Sequence, residues 1–449
     1  MAGIALEPEG KGMLDALPLS SFQVWAVLMI AATVVLDGLD NQMLGLAAPS
    51  LLKEWQISRD ALGFVFALGF VGMAVGTLTS GFIGDRFGRR GALLIGVAIF
   101  GVATLATGFS VELWHVAVLK TLAGVGLGGV PGTASAMIAE FTPARWRSVA
   151  VTFGVVCVSI GGILGGVAAA AILPVLGWRW LFYLGGLLTM AFVALLWFLL
   201  PESPRYLAER PDRRAELDAI LRRIAHPDPA SVQPAEKVDG KAPYTPFSAL
   251  LKGTMLRDSL ALSLAMFSGM FMIYLMFNWA PTMLFSAGFG LQTASLGLTS
   301  FNLGGTIGAM FASLAIIRFG SRPTLILMAI TGAGVCALLA LLSIDGGRNE
   351  PAVLAALGAL GLFASAAQSA MFAVGAHAFP TAVRARGLGL MGAAGRAGAI
   401  VSAVAGASLI GGGNMGFFGV LAALMLVNAL GFIAVRGHVP RLGRQDVRA

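Results

Sequence analysis

The chain has 449 residues, of which 57% are hydrophobic and only 12% are charged, and its mean hydropathy is +0.85. A soluble domain usually carries about 25% charged residues, so this composition excludes a soluble globular protein. The net charge of +8 would suit a nucleic-acid-binding protein. The basic residues, however, lie in short loops between apolar segments, which excludes that class and indicates a polytopic membrane protein.

Apolar segments long enough to cross ~30 Å of hydrocarbon recur along the whole chain. Two groups of six are predicted, at about 22–48, 58–82, 92–110, 112–139, 148–174 and 178–200, and at about 257–286, 293–317, 323–343, 351–376, 385–410 and 413–435. The sequence therefore predicts an all-α integral membrane protein with twelve transmembrane helices in two six-helix bundles. The predicted domains are an N-terminal bundle at 1–200, a cytoplasmic linker at 201–256 and a C-terminal bundle at 257–449.

The lysines and arginines predict the orientation of these spans. Most of the 30 fall in the termini, in the 201–257 segment and in every second loop. Cytoplasmic loops carry this excess of positive charge, so both termini are expected in the cytoplasm.

Two pairs of short sequences repeat between the halves in the same order. R-F-G-R-R at 86–90 matches R-F-G-S-R at 318–322, and E-F-T-P-A-R-W-R at 140–147 matches H-A-F-P-T-A-V-R at 377–384. Parallel six-helix repeats are typical of transporters, whose substrate site lies near the midplane between them. The alternative is a chance similarity of short basic loops.

The first repeat extends to G-F-I-G-D-R-F-G-R-R at 81–90, which resembles the loop signature of the major facilitator superfamily. P-E-S-P-R-Y-L at 201–207 resembles the mid-chain motif of its sugar and organic-ion porters. Ile317 stands in the second half where Asp85 stands in the first, so a gating contact is expected mainly in the first half. The residues assigned to gating are Asp85, Arg86, Arg89, Arg90, Glu140 and His377, although loop packing at the interface is an alternative for the last two.

The first span contains D-G-L-D at 37–40. Asp37 and Asp40 share one face of a helix, and a charged Asp at midplane costs about 2.5–3.5 kcal/mol on insertion scales. Two carboxylates this close repel each other, which favours proton uptake. The pattern resembles the aromatic acid:proton symporter family, whose first helix carries D-G-x-D, and the resemblance implies that both acids serve proton coupling. Alternatively, with Asn41 and Gln42 following, they mark an exit of the helix into outer water.

Two cations lie within predicted spans. Lys120 opens K-T-L-A-G-V-G-L-G-G at 120–129, where the resembled family usually has arginine. It is expected to support the acidic face of the first helix or to bind the substrate carboxylate, with a purely structural ion pair as the alternative. Arg396 lies in G-R-A-G-A-I at 395–400, which resembles the family's G-R-x-G-A-I motif and implies an anchor for the substrate carboxylate. A packing charge that snorkels to the cytoplasmic side is the alternative.

The seventh span carries an aromatic and amide face. Phe267, Phe271, Tyr274 and Asn278 have helical spacing, and Trp279 with Pro281 matches the family's W-x-P. Such a face can stack on a flat ring, although lipid contact or core packing is the alternative. Asn302 in the eighth span is a further candidate substrate ligand, with an interhelical hydrogen bond as its alternative.

These features predict a proton-coupled symporter that imports an aromatic carboxylate by alternating access. Another proton-linked carrier remains an alternative: a sugar, aliphatic acid or osmolyte porter, or an exporter of drugs or aromatic acids. The sequence offers no nucleophile, metal cluster or phosphate loop, so no enzyme activity, cofactor or metal is expected. The expected partners are the substrate, protons and the bilayer, for a functional monomer in the bacterial inner membrane.

Overall fold

A computed structural model describes residues 19–225 and 250–441, except positions 251–252, 343, 345, 347–348 and 381. Its helices are α1 (Ser21–Trp55), α2 (Arg59–Thr107), α3 (Leu113–Phe141), α4 (Ala144–Ile172), α5 (Trp178–Leu199), α6 (Pro204–Ala208), α7 (Arg214–Ala225), α8 (Gly253–Ser286), α9 (Leu291–Phe319), α10 (Ser321–Leu341), α11 (Glu350–Ala378), α12 (Arg384–Gly411) and α13 (Gly413–Ala434). A short 3₁₀ helix, Pro211–Arg213, precedes α7. Most of the predicted linker, 226–249, lies outside the described residues.

Eleven helices of the described part are long and apolar enough to cross a membrane. One of them, α2, has 49 residues and spans far more than ~30 Å of hydrocarbon at 1.5 Å per residue. It therefore crosses twice, which confirms the twelve predicted membrane-spanning segments. The segments predicted at 58–82 and 92–110 are joined without the expected loop, because helical hydrogen bonding resumes directly after a kink at Gly88.

The kink glycines confirm the repeat between the two halves. Gly88 has φ 86° and ψ 165°, and Gly320, at the matching position of the second repeat, has φ 85° and ψ 164°. L-residues with side chains rarely adopt this backbone conformation, which explains the glycine in each R-F-G-x-R sequence. Each glycine separates two membrane-spanning segments of its own bundle.

The start of α1 shows how the sequence fixes the helix ends. The Gln23 N–H donates to Ser20 Oγ at 3.3 Å, and Ser20 N–H donates to Gln23 Oε1 at 2.8 Å, so the two residues form a capping box. Gln23 Nε2 also donates to the carbonyl O of Phe141 at 2.7 Å. One glutamine therefore begins α1 and ties it to the end of α3.

Glycines allow α1 to approach its neighbours closely. A Cβ on Gly38 would clash with the backbone of Val158 in α4, and a Cβ on Gly45 would clash with the backbone of Phe277 in α8. The two bundles meet through α1 with α8, α4 with α9, and α2 with α12. Small residues make such close helix crossings possible in membranes. The glycine between the two aspartates therefore places them at a tight α1–α4 crossing.

Candidate functional site

Asp40 is the centre of a buried polar cluster between α1, α2 and α3. Its side chain is 4% exposed, and its Oδ2 lies 3.3 Å from Lys120 Nζ. Lys120 Nζ also donates to the Asp40 carbonyl O at 3.2 Å, and the Thr104 hydroxyl donates to Asp40 Oδ1. A buried carboxylate with a cation and a hydroxyl donor is well compensated in a membrane interior.

Asp37 lies one helical turn earlier and has a different environment. It is 2% exposed, and its Oδ1 is buried with no hydrogen-bond partner among the described residues. It lies within electrostatic reach of Asp40, Lys120 and Arg396. The helix continues past both aspartates to Trp55, so neither acid marks an exit into water.

A small cavity lies beside Lys120, at the meeting of both bundles. Residues that line it include Asn41 of α1, Phe66 and Phe70 of α2, and Asn278 of α8. Its volume is about 10 Å³, roughly enough for one water. Asn278 Nδ2 is buried without a hydrogen-bond partner in the described part of the chain. The cavity therefore combines an ammonium group, an unpaired amide donor and aromatic walls, in a closed arrangement too small for a benzoate-sized ligand.

The aromatic face predicted on α8 divides between two environments. Tyr274 packs edge-on against Phe70 across the two bundles, with ring centroids 4.7 Å apart, whereas Phe271 contacts Phe267 at 6.2 Å. Trp279 is fully buried, donates its ring N–H to the carbonyl O of Ala403 at 3.0 Å and is not part of the cavity lining. Asn278 thus lines the cavity together with Lys120, Tyr274 packs behind it on Phe70, and Trp279 holds α8 against α12.

Arg396 reaches the opposite bundle. Its guanidinium donates to Thr77 Oγ1 of α2 at 3.1 Å. The Thr77 hydroxyl in turn contacts the carbonyl O of Met73 and of Gly128, each at 2.8 Å. The side chain that the motif implied as a carboxylate anchor therefore occupies a neutral interbundle contact in this conformation.

Asn302 forms a second interbundle contact, with a residue that sequence reasoning had not placed in the site. Asn302 Nδ2 donates to Gln42 Oε1 at 2.8 Å, and Gln42 Nε2 donates to Asn302 Oδ1 at 3.3 Å. A Cβ on Gly162 of α4 would clash with both amides. The reciprocal pair links α1 to α9 two residues beyond Asp40, so the predicted interhelical alternative for Asn302 is observed.

The residues assigned to gating lie around the Gly88 kink. Asp85 is 79% exposed at its side chain and lies 3.8 Å from Arg89 of the same helix, while the Arg86 guanidinium stacks over the adjacent Phe87 ring. The Arg90 backbone N–H donates to Glu202 Oε1 at 3.0 Å, and its guanidinium donates to the carbonyl O of Trp197. The segment after α5 therefore closes against the kink through Glu202.

Glu140 and His377, which hold matching positions in the second pair of repeated sequences, have unequal surroundings. Glu140 Oε2 accepts a hydrogen bond from Ser203 Oγ at 2.5 Å, close to Glu202 in the same motif. His377 is exposed near the end of α11. Glu140 thus joins the network around P-E-S-P-R-Y-L, whereas the equivalent histidine does not share it.

Thr104, Gln42 and Thr77 form hydrogen bonds with predicted site residues, and Asn41 lines the cavity. The sequence signals for these four residues are weak. Asn41 and Gln42 follow the aspartates directly, where they also suit a helix exit into water. Thr104 and Thr77 lie in other spans, where isolated hydroxyl residues usually bond within their own helix. The three-dimensional packing determines which helices face each other, and the residue spacing along one helix does not show this.

A profile of the family described as Sugar (and other) transporter matches residues 17–441. The chain belongs to this family. It is 35% identical to the 4-hydroxybenzoate transporter PcaK of Pseudomonas aeruginosa, covering 95% of this chain and 94% of that protein. It is 34% identical to the gallate transporter of Pseudomonas putida, covering 90% of this chain and 88% of that protein.

Solved structures show the same fold. The inward-open xylose transporter XylE of Escherichia coli superposes with a TM-score of 0.75 at 19% identity, covering 93% of this chain and 97% of that one. At this identity the likeness shows the fold alone, which is that of the major facilitator superfamily. The family match and the fold confirm a multi-pass membrane transporter and not an enzyme.

Proposed function

We propose that the chain is a proton-coupled symporter that imports an aromatic carboxylate by alternating access. The observation that carries the proposal is the ion pair between Lys120 and Asp40, 3.3 Å apart beside the cavity that Asn278 also lines. The relatives named for 4-hydroxybenzoate and gallate support a substrate with a ring and a carboxylate. Phe66 and Phe70 in the cavity wall suit such a ring.

Coupling follows from competition for one ammonium group. While Asp40 is charged, it occupies Lys120, and a substrate carboxylate would have to displace it. A proton on Asp40 removes the carboxylate charge and leaves Lys120 available to an anion. Proton and substrate then bind more favourably together than separately, which is the differential binding that symport needs.

Asp37 provides a second proton-binding carboxylate in this scheme. Its Oδ1 lacks a hydrogen-bond partner among the described residues, and a buried charge without a partner is costly. A proton on Asp37 removes that cost, whereas Asp40 is already compensated by Lys120 and Thr104. The two acids therefore take different parts, with Asp37 as a proton site and Asp40 as the competitor of the substrate.

The remaining site residues act when the bundles rearrange. Because the cavity holds about one water, substrate entry requires movement of the interbundle contacts. In that movement Arg396 leaves Thr77 and offers a second anchor for the carboxylate, and Phe271, Tyr274, Trp279 and Asn302 contribute to the enlarged site. Asp85, Arg86, Arg89, Arg90, Glu140 and His377 act in cytoplasmic gating.

The distribution of basic residues supports an inner-membrane carrier with both termini in the cytoplasm. In this topology the contacts of Gly45 with α8 and of Gln42 with Asn302 close the outer side. The proposed units are 1–200, 201–256 and 257–449, acting as a monomer.

The test is uptake of radiolabelled 4-hydroxybenzoate, gallate and benzoate into proteoliposomes, with and without an inward proton gradient. The native protein is expected to accumulate at least one acid above the external concentration, and a protonophore is expected to abolish this accumulation. Asp40→Asn is expected to lose accumulation, whereas Asp60→Asn, the same change at an exposed aspartate, is expected to retain it. Accumulation by Asp40→Asn equal to that of the native protein would contradict the proposed coupling.

The direction of substrate transport relative to the proton gradient is tested with the same vesicles. An outward proton gradient across substrate-loaded vesicles is expected to drive efflux, since a symporter follows its driving ion. Loss of loaded substrate under an inward gradient would instead identify an exporter that exchanges the acid for protons.

A further inference from the structure

A second, larger cleft lies away from the transport site, where the start of α1, the end of α5 and the helix α7 meet. We name it the arginine cleft. Its volume is about 260 Å³, and the residues that line it are Phe22, Arg90, Phe198, Leu199, Leu200, Pro201, Glu202, Glu216, Ala219, Ile220 and Arg223. The proposed substrate path does not pass through it, although Arg90 in its lining is also assigned to gating.

The carboxylates of the arginine cleft are already paired. Glu202 Oε1 accepts the backbone N–H groups of Arg90 and Ser203, at 3.0 and 2.9 Å. Glu216 Oε2 lies 2.6 Å from the guanidinium of Arg213. Glu216 is therefore neutralised by Arg213, and neither carboxylate forms an ion pair with Arg223 among the described residues.

The cations of the cleft have unused hydrogen-bonding capacity. Arg90 Nε is buried and has no hydrogen-bond partner among the described residues. The Arg223 guanidinium lies 5.7 Å from the centre of the Phe22 ring, and Arg223 forms no salt bridge within the described ranges. The cleft therefore presents the exposed guanidinium group of Arg223 to an anion, with the partly bonded guanidinium of Arg90 behind it.

The position of the cleft identifies the kind of anion. Phe198 and Leu199, in the last turn of the membrane-spanning α5, are 82% and 44% exposed. They place one wall of the cleft where a hydrocarbon-facing helix ends, at the depth of lipid headgroups. The buried residues of α7, among them Leu217, Leu221 and Ile224, pack onto the protein. Arg223 is therefore held at that depth by a docked helix.

We propose that the arginine cleft binds the phosphate headgroup of an anionic phospholipid of the same leaflet. Guanidinium groups form bidentate hydrogen bonds with phosphate, and an acyl chain can follow the apolar wall of Phe198 and Leu199. An anionic lipid is favoured over a zwitterionic one because Arg223 has no carboxylate partner within the described ranges, and a choline group would bring a second positive charge beside it. Free phosphate shares the headgroup chemistry but would gain nothing from the apolar wall.

The test measures binding of dihexanoyl phosphatidylglycerol to the full-length protein in detergent, by microscale thermophoresis. Dihexanoyl phosphatidylcholine and inorganic phosphate are the comparison probes. The native protein is expected to bind the phosphatidylglycerol most tightly. Arg223→Gln is expected to weaken this binding about fivefold, the effect of one basic residue at an anionic surface.

The matched control is Arg222→Gln, the adjacent exposed arginine that does not line the cleft. It is expected to leave the affinity unchanged, and Arg223→Lys is expected to retain most of it. Equal losses in Arg222→Gln and Arg223→Gln would overturn the proposal, because the effect would then be general surface charge. Equal binding of phosphatidylcholine, or complete competition by phosphate at the lipid's own concentration, would also overturn it.

Discussion

The two bundles bring different chemistry to the same interface. The N-terminal bundle contributes the charges around the cavity, in Asp37, Asp40 and Lys120. The C-terminal bundle faces them with two buried neutral amides, Asn278 and Asn302, and with one cation, Arg396, whose guanidinium donates to Thr77 Oγ1. In the proposed mechanism the N-terminal half therefore supplies the proton-binding carboxylates, while the C-terminal half supplies hydrogen bonds and one guanidinium group.

The largest effect on stability is expected from a change in the charged cluster of the N-terminal bundle. Lys120→Gln removes one partner of a buried ion pair and leaves the Asp40 carboxylate uncompensated, which costs about 3–5 kcal/mol. We expect a large fall in the melting temperature of the detergent-purified protein. The double variant Asp40→Asn with Lys120→Gln removes both charges and is expected to recover most of the lost stability. An additive loss in the double variant would contradict a direct pair.

A smaller effect is expected for the neutral contact. Asn302→Ala removes the amide pair with Gln42, and an intramolecular hydrogen bond contributes about 0.5–1.5 kcal/mol. Because this pair joins α1 to α9 across the two bundles, its loss is expected to favour separation of the bundles at that end. A cysteine introduced at Gly45 would be unsuitable as a probe, since Gly45 lies against α8. Maleimide labelling of Ser295→Cys, a buried α9 residue whose backbone lies against Gly166 of α4 in the other bundle, is expected to become faster.

The matched control for this experiment is Thr306→Ala, in which a side chain of α9 that bonds within its own helix is removed. It is expected to leave the labelling rate unchanged. An equal acceleration in both variants would show that general loosening of α9, and not the amide pair, controls separation of the bundles.

The smallest expected effect is on the pH dependence of stability, and it comes from a difference between the contacts at the Gly88 and Gly320 kinks. At the Gly88 kink, the Glu202 carboxylate accepts the backbone N–H of Arg90. At the Gly320 kink, Ser321 Oγ accepts the Val439 N–H at 2.9 Å and lies 3.1 Å from His438 Nδ1. Burial lowers the pKa of His438, and the nearby positive charge of Arg322 lowers it further. The unfolded chain therefore binds a proton more readily, and stability falls as the pH drops below the ordinary histidine value of about 6.5.

Melting temperatures measured at about pH 5.5 and about pH 7.5 test whether stability falls at low pH, because the ordinary histidine pKa lies between these two values. His438→Gln is expected to reduce the difference, and His377→Gln, a change at an exposed histidine, is expected to leave it unaltered. A difference that is the same in the native protein and His438→Gln would exclude His438 as the source.

Much of the fold could be predicted from the sequence, because membrane spans depend on local composition. The kink glycines also follow from local sequence, since each lies in an R-F-G-x-R repeat. Charged residues in the membrane were equally visible: Asp37, Asp40 and Lys120 stand out against apolar neighbours. The partnership of Lys120 with Asp40 was one of two possibilities that the sequence left open, and the structure places the two in contact.

The rest of the site depends on how helices face one another. Thr104 bonds Asp40 from a different helix, and no periodicity within either helix indicates that contact. Trp279 matches the family's W-x-P motif, but in the structure its ring is buried against Phe66, with centroids 5.3 Å apart. The role of a neutral side chain is hard to predict from sequence, since threonines and tryptophans in membrane spans serve packing, lipid contact and hydrogen bonding alike.

The central claim is that Asp40 and the substrate carboxylate compete for Lys120. The most direct test is the affinity for 4-hydroxybenzoate, measured by calorimetry on the purified protein as a function of pH. The account predicts that the affinity of the native protein rises as the pH falls, because protonated Asp40 releases Lys120. It predicts that Asp40→Asn binds the acid tightly with little dependence on pH. An Asp40→Asn variant with the pH dependence of the native protein would contradict the account.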